Sequence, residues 1–333
     1  MRRAAVVSTF GQAPRCLETA GPVPTGAHDA VVEVLAAGLH PRVRSQADGS
    51  HYTSTDQLPL VPGIDGVGRT DDGVLRYFVL PDTAHGSMAD RTVIDLRRSV
   101  ELPADVDPVQ VAAAMNPAMS SWVALRRRIA FEAGQTVAVL GATGNAGRLA
   151  VEVARLLGAG RVVAVGRGAE RLAGLGADLT VSLDGAPEVV AETLGRACRD
   201  LDVVLDYLWG RPTSEALRAI VPRRADDRRP LTWVQIGSVA GADSAIPSAA
   251  LRATRLQLVG SGQGSVPTPA ILEELPALAA EIGQGSLTVG ARAVPLADVE
   301  QAWTDAATTP HRLVIVPWAP DVRQSVVLLG GCG

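Results

Sequence analysis

The segment Thr136–Ala150, TVAVLGATGNAGRLA, limits what the chain can fold into more than any other stretch. Four apolar residues, Val137 to Leu140, predict a short buried strand. Gly141, Gly144 and Gly147 follow, and then Leu149, Val151, Val153, Leu156 and Leu157 recur along a helix. Strand, glycine-rich turn and helix make a dinucleotide-binding βα unit. Gly141 lets the chain turn off the strand, Gly144 leaves room for a pyrophosphate, and Gly147 lets helix and strand pack closely. The helix N-terminus offers free N–H groups and a partial positive charge. The candidate phosphate contacts are therefore Gly141, Ala142, Thr143, Gly144, Asn145, Ala146 and Gly147. A purely structural turn is the competing reading in a chain with 34 glycines; the strand before and the helix after favour the nucleotide.

The next predicted strand, Arg161–Gly166, ends at Arg167 with no carboxylate between residues 160 and 169. An acidic residue at this tip binds the ribose hydroxyls of NAD, whereas an arginine suits the 2′-phosphate of NADP. NADPH is the expected cofactor, with Gly166 and Arg167 as contacts and Arg171 as a second phosphate contact or a solvated helix residue. Further strands are expected at 180–183, 202–206, 232–236 and 256–259, with helices at 187–199, 212–221 and 246–254. That alternation predicts a doubly wound parallel sheet, whose ligands lie beyond the strands' carboxyl ends. Tyr207, Leu208, Gly237, Ser238, Gly260 and Ser261 join the candidates on that ground.

Composition narrows the chemistry. All 31 basic residues are arginine and no lysine occurs among 333 positions. A P-loop lysine, a Schiff-base lysine and the Tyr-x-x-x-Lys pair of short-chain dehydrogenases are thereby excluded. Cys16, Cys198 and Cys332 are odd in number and far apart, so they build neither a disulfide framework nor a Cys-x-x-Cys metal site. A net charge of −4 offers no general attraction to nucleic acid or anionic membranes. With no apolar run of membrane-spanning length, a cytoplasmic location is the expectation.

Residues 1 to 118 read as β-rich, with runs at 4–7, 29–35, 73–80 and 91–96 suggesting a small, partly open barrel. The stretch from Ala37 to Gly68 reads as loop and carries His40, His51, Tyr52, Ser54 and Asp65. Each could be catalytic or merely turn-forming. Residues 107–125 look like a helix pair broken at Asn116-Pro117, and Arg126–Arg128 like a solvated helix end. A helix at 270–282, a strand at 288–294, a helix at 298–307 and a strand at 312–316 close the chain before an apolar tail, 319–333.

Taken in order, Pro62-Gly-Ile-Asp-Gly-Val-Gly68, Gly86-Ser-Met-Ala-Asp90, Val139 to Gly147, Gly176-Ala-Asp178, Asp202-Val-Val-Leu-Asp206, Val234-Gln-Ile-Gly237 and His311 to Val316 resemble the medium-chain dehydrogenase/reductase superfamily, in its zinc-independent quinone oxidoreductase branch. The resemblance implies a GroES-like catalytic domain from residues 1–118 and 271–333 around a Rossmann NADP-binding domain, 119–270. It implies an NADPH-dependent enzyme that reduces a quinone or an α,β-unsaturated carbonyl by hydride transfer, usually as a homodimer, with no nucleic-acid or membrane partner. The alternatives are a non-catalytic NADPH-binding redox sensor and a zinc-independent alcohol dehydrogenase. Zinc-dependent members carry a cysteine in the first loop and a Gly-His-Glu motif; here His40 and Gly63-Ile64-Asp65 stand in those places, so no metal is expected. Tyr52 matches a tyrosine that many of these reductases place near the nicotinamide, and it ranks first as hydrogen-bond or proton donor. His40, where the family often has asparagine, ranks second.

Overall fold

The computed structural model describes residues 1–51 and 53–318. In chain order the strands are β1 (Arg2–Val6), β2 (Arg15–Thr19), β3 (Asp29–Gly38), β4 (Asp65–Thr70), β5 (Leu75–Val79), β6 (Arg91–Asp95), β7 (Ser99–Glu101), β8 (Thr136–Leu140), β9 (Arg161–Gly166), β10 (Leu179–Ser182), β11 (Val203–Asp206), β12 (Leu231–Gln235), β13 (Leu256–Gly260), β14 (Ala291–Pro295) and β15 (Arg312–Val316). The α-helices are α1 (Pro41–Ala47), α2 (Pro108–Val123), α3 (Asn145–Leu156), α4 (Ala169–Ala173), α5 (Pro187–Ala197), α6 (Gly210–Ile220), α7 (Ser248–Ala253), α8 (Thr268–Leu272), α9 (Leu275–Gly283) and α10 (Val299–Asp305).

The chain divides into two compact units: Met1–Asn116 with the described residues from Thr288 onward, and Pro117–Leu287. Residues 271–287, α9 among them, thus go with the second unit rather than with the catalytic domain drawn from the sequence. The first unit holds a mixed sheet in the order β14-β15-β3-β4-β5-β7, with β6 also paired to β3, and a separate β1-β2 hairpin. Its core gathers Val32, Val34, Phe78, Met88, Ile94, Leu313 and Ile315. The second unit is an all-parallel sheet, β10-β9-β8-β11-β12-β13, flanked by helices. β8 and β11 are buried along their whole length, as continuous apolar runs in a sheet covered on both faces require.

Three sequence expectations change. The segment 37–68 is not one loop: it contains the end of β3, α1 and β4. β4 reads Asp-Gly-Val-Gly-Arg-Thr, which looks like a turn, yet its glycines are a packing requirement. A Cβ on Gly66 would stand 2.9 Å from the Ala36 carbonyl oxygen and 3.0 Å from the Phe78 ring. β2 is a strand the sequence does not predict, because its five residues lie on the surface and show no alternation. Residues 108–123 form one helix with Pro117 inside it, not a pair; it continues as a π-helical turn, Ala124–Arg128. Within the described residues no helix is long and apolar enough to cross a membrane.

Candidate functional site

The glycine turn sits at the carboxyl end of β8. Gly141 takes φ +87°, which turns the chain off the strand. A Cβ on Gly147 would overlap the Gly141 carbonyl oxygen, so only glycine lets α3 start this close to the strand. Gly144 differs: a Cβ there would meet nothing nearer than the Gly141 oxygen at 3.5 Å. Its surroundings are open, and it caps α3 without a side-chain hydrogen bond. The first N–H groups of this twelve-residue helix, from Asn145 onward, have no partner inside the helix. The site fits a bound pyrophosphate, with room above Gly144 and free donors beside it.

Register brings the other candidates to the same edge of the sheet. Leu140 pairs with Val165, Asp206 with Leu140, and Gln235 with both Asp206 and Gly260. The residues that follow these positions therefore line up: Gly141–Gly147, Gly166–Arg167, Tyr207–Leu208, Gly237–Ser238 and Gly260–Ser261. Arg167 is exposed at the β9 tip. It borders an open groove of about 700 Å³ that also touches Leu183, Pro187, Arg211, Pro212 and Ala240. Arg171, on the one-turn helix α4, folds back so that its Nε would lie 2.8 Å from a Cβ on Gly168.

Asp206, the last residue of β11 and of the motif Asp202-Val-Val-Leu-Asp206, has a structural role that its place in the motif does not by itself give. It is fully buried. One carboxylate oxygen accepts from the backbone N–H groups of Leu208 (2.9 Å) and Trp209 (3.0 Å). The other accepts from the Thr213 hydroxyl (2.6 Å) and the Trp233 indole (2.8 Å). This one carboxylate ties the turn after β11 to α6 and β12. Trp209 is held at φ +55°, the sole positive φ on a non-glycine residue among the described residues, and such strain survives only where neighbours over-determine it. The signal for Asp206 was present in Asp202-Val-Val-Leu-Asp206: an acid closing an apolar strand must find donors. Tyr207, also buried, shares a 2.9 Å hydrogen bond with Ser120. Burial, against the Ser120 and Ser121 hydrogen bonds, pushes its phenol up to about 12.

Arg126 and Arg127 are exposed and Arg128 half-buried, as a solvated helix end would be, but all three also make specific bonds. Glu274, 3% exposed, accepts from Trp122 Nε1 (2.8 Å), from Arg126 Nε and from Arg127 Nε (2.5 Å), and Arg126 also lies over the Trp122 ring at 5.5 Å. Arg128 donates to the Gly260 carbonyl (2.7 Å). The arginines thus anchor the π-helical turn to α9 and to the turn that ends β13.

In the first unit, His40 is buried at 1% exposure rather than presented on a loop. Its Nε2 lies 3.4 Å from Asp65, and Asp65 accepts a 2.7 Å hydrogen bond from the Tyr77 hydroxyl. Burial holds the His40 imidazole below its ordinary pKa, against the raising effect of Asp65. Arg312 donates to the Leu39 carbonyl (3.0 Å), and its charge also bears on His40. His40 therefore has no access to solvent as an acid, and the structure gives it the N-cap position of α1. Tyr52 lies outside the described residues, as does the tail 319–333. Among the described residues, Arg42 donates to Thr53 (2.6 Å) and Asp82 (2.5 Å), and the His51 ring meets the Thr53 hydroxyl at 2.9 Å. Among the described residues no group of three or more His, Cys, Asp or Glu side chains could hold a metal ion.

A parallel sheet with an open glycine turn at its carboxyl edge, joined to a mixed-sheet unit built from both chain ends, defines a pyridine-nucleotide oxidoreductase architecture. No family model matches the chain. It is 30% identical to a probable NADPH-dependent quinone reductase of Emericella nidulans, over 94% of this chain and 99% of that one. It is 26% identical to an NADPH-dependent alkenal/one oxidoreductase of Arabidopsis thaliana, over 63% of this chain and 62% of that one. The solved quinone oxidoreductase of Thermus thermophilus has the same fold, with a TM-score of 0.77 at 24% identity over 94% of this chain and 99% of that one. The chain belongs to the medium-chain dehydrogenase/reductase superfamily, in its quinone oxidoreductase-like branch, and it is an oxidoreductase.

Proposed function

We infer that this oxidoreductase uses NADPH to reduce a quinone or an α,β-unsaturated carbonyl, without zinc. The observation that carries the cofactor reading is the open space at Gly144, the N-cap of α3, with Arg167 at the next strand tip. Both relatives reported above have NADPH in their names, and one names a quinone and the other an alkenal or enone as substrate class. Zinc independence is supported by the donor set, since Ile64, which has no donor atom, stands where the zinc-dependent members carry histidine, and His40 stands where they carry cysteine.

When bound, the cofactor supplies a hydride. The residues of this chain bind and orient it. The α3 N-terminus holds pyrophosphate, Arg167 and Arg171 hold the 2′-phosphate, and the turns at Leu208, Gly237–Ser238 and Gly260–Ser261 line the remaining length. Tyr52 is the proposed donor that polarises the substrate carbonyl. His40, ranked second from the sequence, is buried against Asp65 at the N-cap position of α1, which does not favour it as the proton donor. The homodimer, which the resemblance implies, and the cytoplasmic location, expected from the sequence, belong to the same reading.

The test is binding of NADPH and NADH to the purified protein, followed by NADPH oxidation with 1,4-benzoquinone and a panel of enones. Tight NADPH binding with turnover of either class is the expected result. Binding without turnover on any of them would count against a reductase and favour a sensor. Alcohol oxidation with NADP+ at high pH, measured alongside, would move the assignment to an alcohol dehydrogenase if it were the sole turnover.

A further inference from the structure

No acid stands between residues 160 and 169, yet β10 brings one to the β9 tip. Ser182 pairs with Gly166, so the chain leaving β10 runs beside the chain leaving β9. Asp184 there accepts a 2.8 Å hydrogen bond from the Gly168 backbone N–H and a 3.2 Å bond from the Ser182 hydroxyl. Gly168 takes φ +83°, and Arg171 covers it closely enough that a Cβ would meet Nε at 2.8 Å. One exposed carboxylate thus holds the turn that carries Arg167 and Arg171, within electrostatic reach of both guanidinium groups.

We propose that Asp184 is a specificity-determining residue for the nucleotide: it fixes the Gly168 turn and, as a negative charge among the two arginines, limits the preference for a 2′-phosphorylated cofactor. This rests on the NADPH reading above. Arg167 and Arg171 attract a 2′-phosphate; Asp184 repels it and offsets part of that attraction. A nucleotide with a free 2′-hydroxyl meets no such repulsion and can donate to a carboxylate. The preference for NADPH over NADH is therefore smaller than the two arginines alone would give. Asp184 does this without being adjacent in sequence to the strand whose tip it modifies.

Two variants separate the charge from the turn. Asp184→Asn keeps an oxygen for the Gly168 N–H and removes the charge; Asp184→Ala removes both. Dissociation constants for NADPH and NADH, measured by quenching of intrinsic tryptophan fluorescence, are the readout. Asp184→Asn should tighten NADPH by about threefold to tenfold, the scale of one charge acting on a phosphate near a solvated surface, and leave NADH within about twofold. The gain should shrink as salt screens it. Asp184→Ala should weaken NADH as the turn loosens. Parallel shifts of both nucleotides in Asp184→Asn, or no shift, would overturn the selectivity role. An Asp184→Ala variant indistinguishable from Asp184→Asn would overturn the turn-holding role. Wild-type protein that binds neither nucleotide would overturn the cofactor reading itself, and this assignment with it.

Discussion

Single side chains in this protein divide by what a change would disturb. Gly144 and Gly147 look alike in sequence but not in space. Gly144→Val places its branch in open volume, so the fold should survive with its melting temperature within a few degrees while nucleotide binding is lost. Gly147→Val drives into the Gly141 carbonyl and should destabilise by about 2 kcal/mol or more. Thermal melts of the two, set beside their nucleotide affinities, check this; equal destabilisation would remove the distinction. Arg167→Asp should raise the KM for NADPH by at least about tenfold, the loss of a charge-assisted contact, and shift the NADH/NADPH ratio in favour of NADH. An unchanged ratio would remove Arg167 from the site. His40 makes a pH prediction. Its folded pKa lies below the ordinary 6.5, so below that pH the unfolded chain takes up a proton that the folded chain refuses. Unfolding free energy should fall as pH drops from about 7 to 5. His51, lowered to about 4 chiefly by burial, and His85 act in the same direction. His40→Gln should therefore flatten the slope in part, and identical slopes in denaturant titrations would show that His40 protonates within the fold.

At the level of elements, the turn after β11 depends on one buried carboxylate. Asp206→Asn replaces one acceptor oxygen by a donor facing the donors already there. The expected cost is about 2–3 kcal/mol in a urea titration, because a buried polar group is left mismatched. A change within about 0.5 kcal/mol would mean that the turn holds its shape by packing alone. The parallel strands and their helices were legible from the chain, since each is a short apolar run followed by an amphipathic one. The helix broken on paper at Pro117 was not. A proline inside a helix forfeits one hydrogen bond and crowds the carbonyl four residues back, here that of Ala113, and the sequence suggested a break. The largely buried, alanine-rich surface of α2 compensates enough to keep it whole. β4 was equally illegible, because two glycines signal a turn unless one knows that Phe78 lies against them.

For the molecule as a whole, ligand linkage offers a test that no single substitution provides. A nucleotide that binds only the folded state at a hundredfold excess over its Kd adds about 2.7 kcal/mol of stability. NADPH should therefore raise the melting temperature of the wild-type protein, and NADH at equal concentration should raise it less. Equal shifts would mean that Arg167 and Arg171 confer no preference at all.

What the sequence determined by itself is the cofactor unit. A buried strand, three spaced glycines and an amphipathic helix are local, and local backbone chemistry makes them recognisable without knowing their neighbours. The tertiary structure alone decided the surroundings. It withdrew His40 into a buried pair with Asp65, tied Arg126 and Arg127 to Glu274, and carried Asp184 to the tip of β9. Each of these depends on a partner distant in sequence, 25 residues away for His40, about 147 for Arg127 and 16 for Asp184. Charge and burial act through space, and a sequence lists only distance along the chain.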